Sequence, residues 1–315
     1  MDRPREGELV QDPRGLFELE TARTDFGAPV LLFSLSGFVD AGSTGRLLSE
    51  HLIETLDHEV VATFDVDQLL DYRGRRPAMT FSKDHWSEYA DPSLILYSLR
   101  DQSGQEFLLL QGPEPDWQWE RFCEAVRMLV ERLGVRLAVS FHGIPMAVPH
   151  TRPLGVTAHA TDPTLIAGNE AWMGEVLVPG SASALLEFRL GEWGHPALGY
   201  AVHVPHYLSQ ADFHDAALVA LRAISAVSGL SLPDAALEDA AERTRADIVR
   251  EVGDSEEVGR VVTALEQQYD AFLEGRSRGS LLAGETTELP SADELGAAFE
   301  QFLAEQTDEG PTPPR

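Results

Sequence analysis

A chain of 315 residues with 43% apolar and 24% charged side chains has a soluble globular balance, enough for one large domain or two ordinary ones. Its net charge of −28 repels phosphate backbones and anionic lipid, which excludes sequence-independent nucleic-acid binding and a membrane partner. Lys83 is the only lysine, so lysine Schiff bases and phosphate-loop lysines are excluded elsewhere, and the lone Cys123 cannot close an internal disulfide. With no secretory leader and no apolar run of about 18 residues, the chain is expected to be cytoplasmic.

In chain order, residues 1–24 form a polar N-terminal segment with a short edge strand predicted through Leu16–Leu19. The run Val30–Leu35 has strand length and leads into a loop of small residues, Ser36 to Gly45. Leu47, Leu48, His51, Leu52, Thr55 and Leu56 then follow helical spacing, giving the strand–loop–helix opening of an α/β fold. Strands are predicted at Val60–Phe64 and Leu94–Leu99, separated by the polar segment Asp65–Pro77, with Phe107–Leu110 as a hairpin partner. Asp116 reads as the N-cap of a helix whose apolar face carries Trp119, Phe122, Val126, Leu129, Val130 and Leu133, and Gly134 as its C-cap.

Further strands are predicted at Val135–Phe141, Val156–Ala160 and Ala197–Val204. Glu175–Val178 and Pro179-Gly180 lead to a helix over Ser181–Leu190, and another runs through Asp212–Val227. The alternation predicts an α/β core over residues 25–232, a mostly parallel sheet with helices on both faces. Residues 233–275 read as an acidic helical hairpin, and 276–315 as an acidic flexible tail with a linker over 276–290 and a short amphipathic helix on Leu295, Phe299, Phe302 and Leu303.

Five features bear on candidate chemistry. Gly37, Asp40, Gly42 and Ser43 lie in the loop after the first core strand, where helix N-terminal amides bind anions. The loop lacks the phosphate-loop and dinucleotide spacings and contains a repelling Asp40, so close packing or helix initiation is the competing reading. Arg73, Arg75 and Arg76 concentrate positive charge, suited to gripping carboxylates or phosphates or to bridging the acidic excess. His150 and Arg152 fall in another loop after a strand. His203 and His206 point to opposite faces of a strand end, and neither HExxH nor a cysteine pair is present, so no metal is expected. Gly180-Ser-Ala-Ser183 lacks the closing glycine of a nucleophile elbow, leaving only the loose set His142, His150 and Asp162; no catalytic constellation and no cofactor are expected.

Taken in order, six stretches resemble the type two family of proteasome assembly chaperones, in its actinobacterial branch. They are Gly37-Phe-Val-Asp-Ala-Gly-Ser-Thr-Gly45, Asp71-Tyr-Arg-Gly-Arg-Arg-Pro77, Gly112-Pro-Glu-Pro-Asp116, Pro149-His-Thr-Arg-Pro153, Gly191-Glu-Trp-Gly-His195 and His203-Val-Pro-His-Tyr207. The resemblance implies a three-layer α/β/α sandwich similar to nucleoside phosphorylases, here with a C-terminal helical extension. It also implies self-association into a homo-oligomer, with a trimer as the expected count, and binding of proteasome subunits. Archaeal relatives dock through a hydrophobic–Tyr–any-residue ending, whereas this chain ends Thr312-Pro-Pro-Arg315, so that docking mode is not expected. The expected function is therefore protein binding. The alternative is a small-molecule enzyme or sensor using a phosphorylase-like cleft, with Asp40, Ser43, Arg73, Arg76, His150 and Arg152 as its candidate groups.

Overall fold

A computed structural model describes residues 11–169 and 174–279. The predicted amphipathic helix at Leu295–Leu303 and the linker beyond residue 279 lie outside the described residues. Eight strands form one sheet: β1 (Phe17–Leu19), β2 (Val30–Ser36), β3 (His58–Phe64), β6 (Ile95–Arg100), β7 (Glu106–Pro113), β8 (Leu137–Met146), β9 (Val156–Ala160) and β10 (Ala197–Pro205). Their order across the sheet is β1-β3-β6-β7-β2-β8-β10-β9. The separate hairpin of β4 (Met79–Ser82) and β5 (His85–Tyr89) joins none of them.

The mostly parallel sheet expected from the sequence is corrected to a mixed one. Only β7, β2, β8 and β10 run parallel; β6 returns against β7 through the short Asp101–Gly104 turn, and β1, β3 and β9 add antiparallel at the two sides. The parallel strands are covered on both faces and read as continuous apolar runs. Successive residues of β2 alternate between two cores. Val30 and Leu32 pack with Leu48, Leu52 and Ile224 on the side of α1 (Thr44–Thr55) and α4 (His214–Ser228). Leu31 and Phe33 pack with Phe122, Val126 and Leu186 on the side of α2 (Trp119–Leu133) and α3 (Ala182–Glu192). The result is the expected three-layer sandwich. Cys123 is buried in the second core, and burial pushes its thiol up to about 12, so it is a packing residue rather than a ready nucleophile.

Three local expectations are corrected. Asp116 does not cap α2; Gln118, in the left-handed region, precedes the helix, and the Asp116 carboxylate serves the loop from Asp71 to Arg75 instead. The β4–β5 hairpin falls in a stretch that the sequence reading leaves unassigned. Of the linker expected over 276–290, the described residues 276–279 are helical instead, as the last turn of α6 (Glu256–Gly279).

After β10 and α4, α5 (Ala235–Gly253) and α6 run as two successive helices with Leu237, Ala241, Ile248, Val262 and Leu265 buried. Helix α6 is fastened to the loop after β8. Arg152 makes a bidentate pair with Asp270 (2.9 and 2.8 Å) and reaches Glu266 at 3.1 Å, while the Tyr269 hydroxyl donates to the Pro153 carbonyl at 2.9 Å. Among the described residues, no helix is long and apolar enough to cross a membrane.

Candidate functional site

In open α/β sheets ligands bind at the carboxyl ends of parallel strands, here the ends of β2, β7, β8 and β10. The chain leaves β2 at Ser36 and reaches α1 through Gly37–Ser43, with Gly42 at φ 66° and Ser43 at φ 52°. Gly42 is needed twice over: its φ lies in the left-handed region, and a Cβ there would stand 3.0 Å from Phe213 Cβ. Its amide donates to the Ser209 carbonyl and its carbonyl accepts from Phe213, so the loop is stitched to the segment after β10.

Asp40 folds back over the start of α1. One carboxylate oxygen accepts from Gly45 N at 2.8 Å and Gly143 N at 3.2 Å, and the other accepts from Arg46 N at 3.1 Å. The amides that would meet an anion therefore already meet one, supplied by the chain. Burial raises the Asp40 carboxyl above its usual value, outweighing the hydrogen bonds from Gly45, Arg46 and Gly143 that favour the ionised form. Asp40→Ala is expected to destabilise the fold by about 1–2 kcal/mol through the lost helix cap, read as a lower urea midpoint at unchanged slope.

A second carboxylate repeats the arrangement. Buried Glu114, at the end of β7 between two prolines, accepts from Ala182 N at 2.6 Å at the start of α3, and burial raises its carboxyl as well. Arg75 lies against it, donating to the Glu114 carbonyl at 2.9 Å and pairing with Asp116 at 2.8 Å. Gly37 is packed against the same two side chains.

The sequence-derived residues thus fall into three groups. Gly37, Asp40, Gly42, Ser43 and Arg75 gather at the end of β2, where Ser43 and Arg46 both bind Asp212. Arg73 and Arg76 are exposed and make no ion pair among the described residues. His150 and Arg152 lie at the α6 fastening. There the Tyr207 hydroxyl accepts from the His150 amide at 2.9 Å and pairs with its Nδ1 at 2.7 Å; burial lowers the His150 imidazole and pushes Tyr207 up to about 12. Of the loose hydrolase set, Asp162 follows β9 beside the start of β10, whereas His150 follows the far end of β8; Asp162 accepts from Thr164 N, and Ser181 caps α3 by accepting from Ala184 N. Sequence reasoning missed Glu114, Asp212, Glu266 and Asp270; an acid flanked by prolines was the one visible signal, for Glu114.

A family model described as the PAC2 family matches residues 34–252. The chain belongs to the PAC2 family. Among solved PAC2-like structures, Mycobacterium tuberculosis Rv2714, a protein of unknown function, is 48% identical (TM-score 0.83), over 88% of this chain and 96% of that one. A Corynebacterium glutamicum protein of unknown function is 40% identical (TM-score 0.77), over 82% and 98%. Mycobacterium tuberculosis Rv2125, described as a proteasome-assembly chaperone homologue, shares the fold at 23% identity (TM-score 0.68), over 74% and 99%. No curated protein matches the chain.

Proposed function

We propose that this PAC2 protein is a cytoplasmic, homo-oligomeric protein-binding factor that acts on proteasome subunits in the manner of an assembly chaperone. The observation that carries this reading is the occupied crevice. Asp40 and Glu114 cover the starts of α1 and α3, and Arg75 is engaged by Asp116. A small anionic ligand would have to displace these groups, whereas the aromatic side chains in the same two loops, Phe38 before Asp40 and Trp117 after Glu114, are exposed. Exposed aromatic residues on a closed scaffold suit a protein partner better than a phosphorylase-like substrate. Support for the client comes from family membership and from the description carried by Rv2125. Within this reading, residues 25–232 are the binding core and 233–275 a helical extension fastened to it.

Native mass spectra of the full chain mixed with separately expressed proteasome α- and β-subunits test the proposal. Stoichiometric complexes with α-subunits that disappear as the full particle matures are the expected result. A chain that ignores both subunit types overturns it.

A further inference from the structure

The β4–β5 hairpin stands apart from the eight-stranded sheet, and an isolated two-stranded ribbon is marginal in water. Its register, shifted once between Thr80 and Phe81, sorts its side chains by pair. Met79 faces Tyr89 and Phe81 faces Trp86, while Thr80 faces Glu88 and Ser82 faces His85. Met79 and Phe81 are two apart on one strand, and a bulge at Ser87 on the other keeps Tyr89 opposite Met79 and Trp86 opposite Phe81, so the four large apolar side chains pair across one face. That apolar face is uncovered: Phe81 is 57% and Trp86 62% exposed, with their rings in edge contact at 5.1 Å. An uncovered aromatic face on so slender an element is the mark of a contact surface.

The charge beside it identifies the occupant. From Tyr72 to Tyr89 the chain carries Arg73, Arg75, Arg76 and Lys83 against Asp84 and Glu88, a balance of +2, so the rest of the chain holds −30 against a total of −28. Arg73, Arg76 and Lys83 make no ion pair among the described residues. A basic, aromatic arm on an otherwise strongly acidic molecule is complementary to the remaining surface of the same molecule. We propose that the arm, residues 72–89, is the self-association surface and that it docks on a second copy of this chain. The proposal rests on the protein-binding reading above and names the partner of one surface within it. A head-to-tail contact of this kind, arm of one copy on the body of the next, closes into a ring when the rotation permits.

Analytical ultracentrifugation and native mass spectrometry of the full chain decide the matter. The doubly substituted Phe81→Asp, Trp86→Asp protein changes no residue of the two buried cores, so the fold of the eight-stranded sheet is expected to hold, checked by an unaltered urea midpoint. Its dissociation constant for self-association is expected to rise at least about tenfold. A second variant, Arg73→Glu with Arg76→Glu, is expected to weaken association and flatten its salt dependence. A wild-type chain that stays monomeric, or an oligomer that both variants leave intact, overturns the assignment. So does an arm variant that loses proteasome-subunit binding at unchanged subunit count, since the arm then serves the client. A chain whose oligomer disperses in both variants but never binds proteasome subunits upholds the arm and rejects the proteasome client instead.

Discussion

Acidifying the protein from pH 7 to pH 4 is expected to remove roughly 3 kcal/mol of stability through His203 alone. The imidazole is fully buried on β10, with Nε2 2.8 Å from Thr157 Oγ1, and burial lowers its pKa from 6.5 to about 4. The folded value lies below the unfolded one. Between these two values the unfolded chain binds a proton that the folded chain refuses, so stability is complete above pH 6.5 and falls with pH toward 4. At about 1.4 kcal/mol for each tenfold in proton affinity, that interval gives the figure above. His142, lowered to about 4 by burial and by neighbouring His159, adds in the same direction. Asp40 and Glu114 act oppositely: their raised pKa values make protonation favour the fold as pH falls through the carboxyl range. Urea midpoints taken from pH 7 to pH 4 should therefore drop, and the drop should be shallower in His203→Gln. An identical slope in the two proteins would acquit His203.

Gly143→Ala is expected to cost about 3 kcal/mol, near the top of the range for overpacking. A Cβ at that position would stand 2.0 Å from the Ala41 carbonyl oxygen and 2.5 Å from Thr44 Oγ1. Both obstacles belong to the turn that begins α1, and the first is backbone, which no rotamer change can move aside. The Gly143 amide also donates to Asp40, so pushing β8 and the loop apart weakens the carboxylate cap as well. Gly253→Ala is the control, since nothing lies within 4 Å of its added Cβ and its φ is ordinary for any residue. That substitution should be neutral or stabilise by up to about 1 kcal/mol through the unfolded state. Equal losses in the two variants would show that the α1 loop gives way more easily than its contacts imply.

The central strands were legible because burial on both faces writes them as unbroken apolar runs, such as Val30–Leu35 and Ala197–Val204. Gly134 announced the end of α2 through its left-handed conformation. The strand directions at the sheet's margins were not legible, since an apolar run does not record which way its neighbour points. Asp116 misled because a carboxylate before a helix looks like a cap whether or not its partner is the helix; its ion-pair partner is Arg75. The arm was overlooked because Met79-Thr-Phe-Ser82 and His85-Trp-Ser-Glu-Tyr89 lie between Pro77 and Pro92, where turn residues mask their alternation. Of the candidate site, the loops were visible but not their contacts. Arg152 and Asp270 are 118 residues apart, and only the folded chain brings them together.

Lys83, at φ 56° in the two-residue turn between β4 and β5, has one practical consequence. Any chain-terminal amine aside, it is the sole primary amine on the molecule. An amine-reactive fluorophore or photo-crosslinker will therefore mark the tip of the hairpin and no other side chain, without engineered cysteines. Whatever such a reagent captures or reports on must lie within reach of that one position.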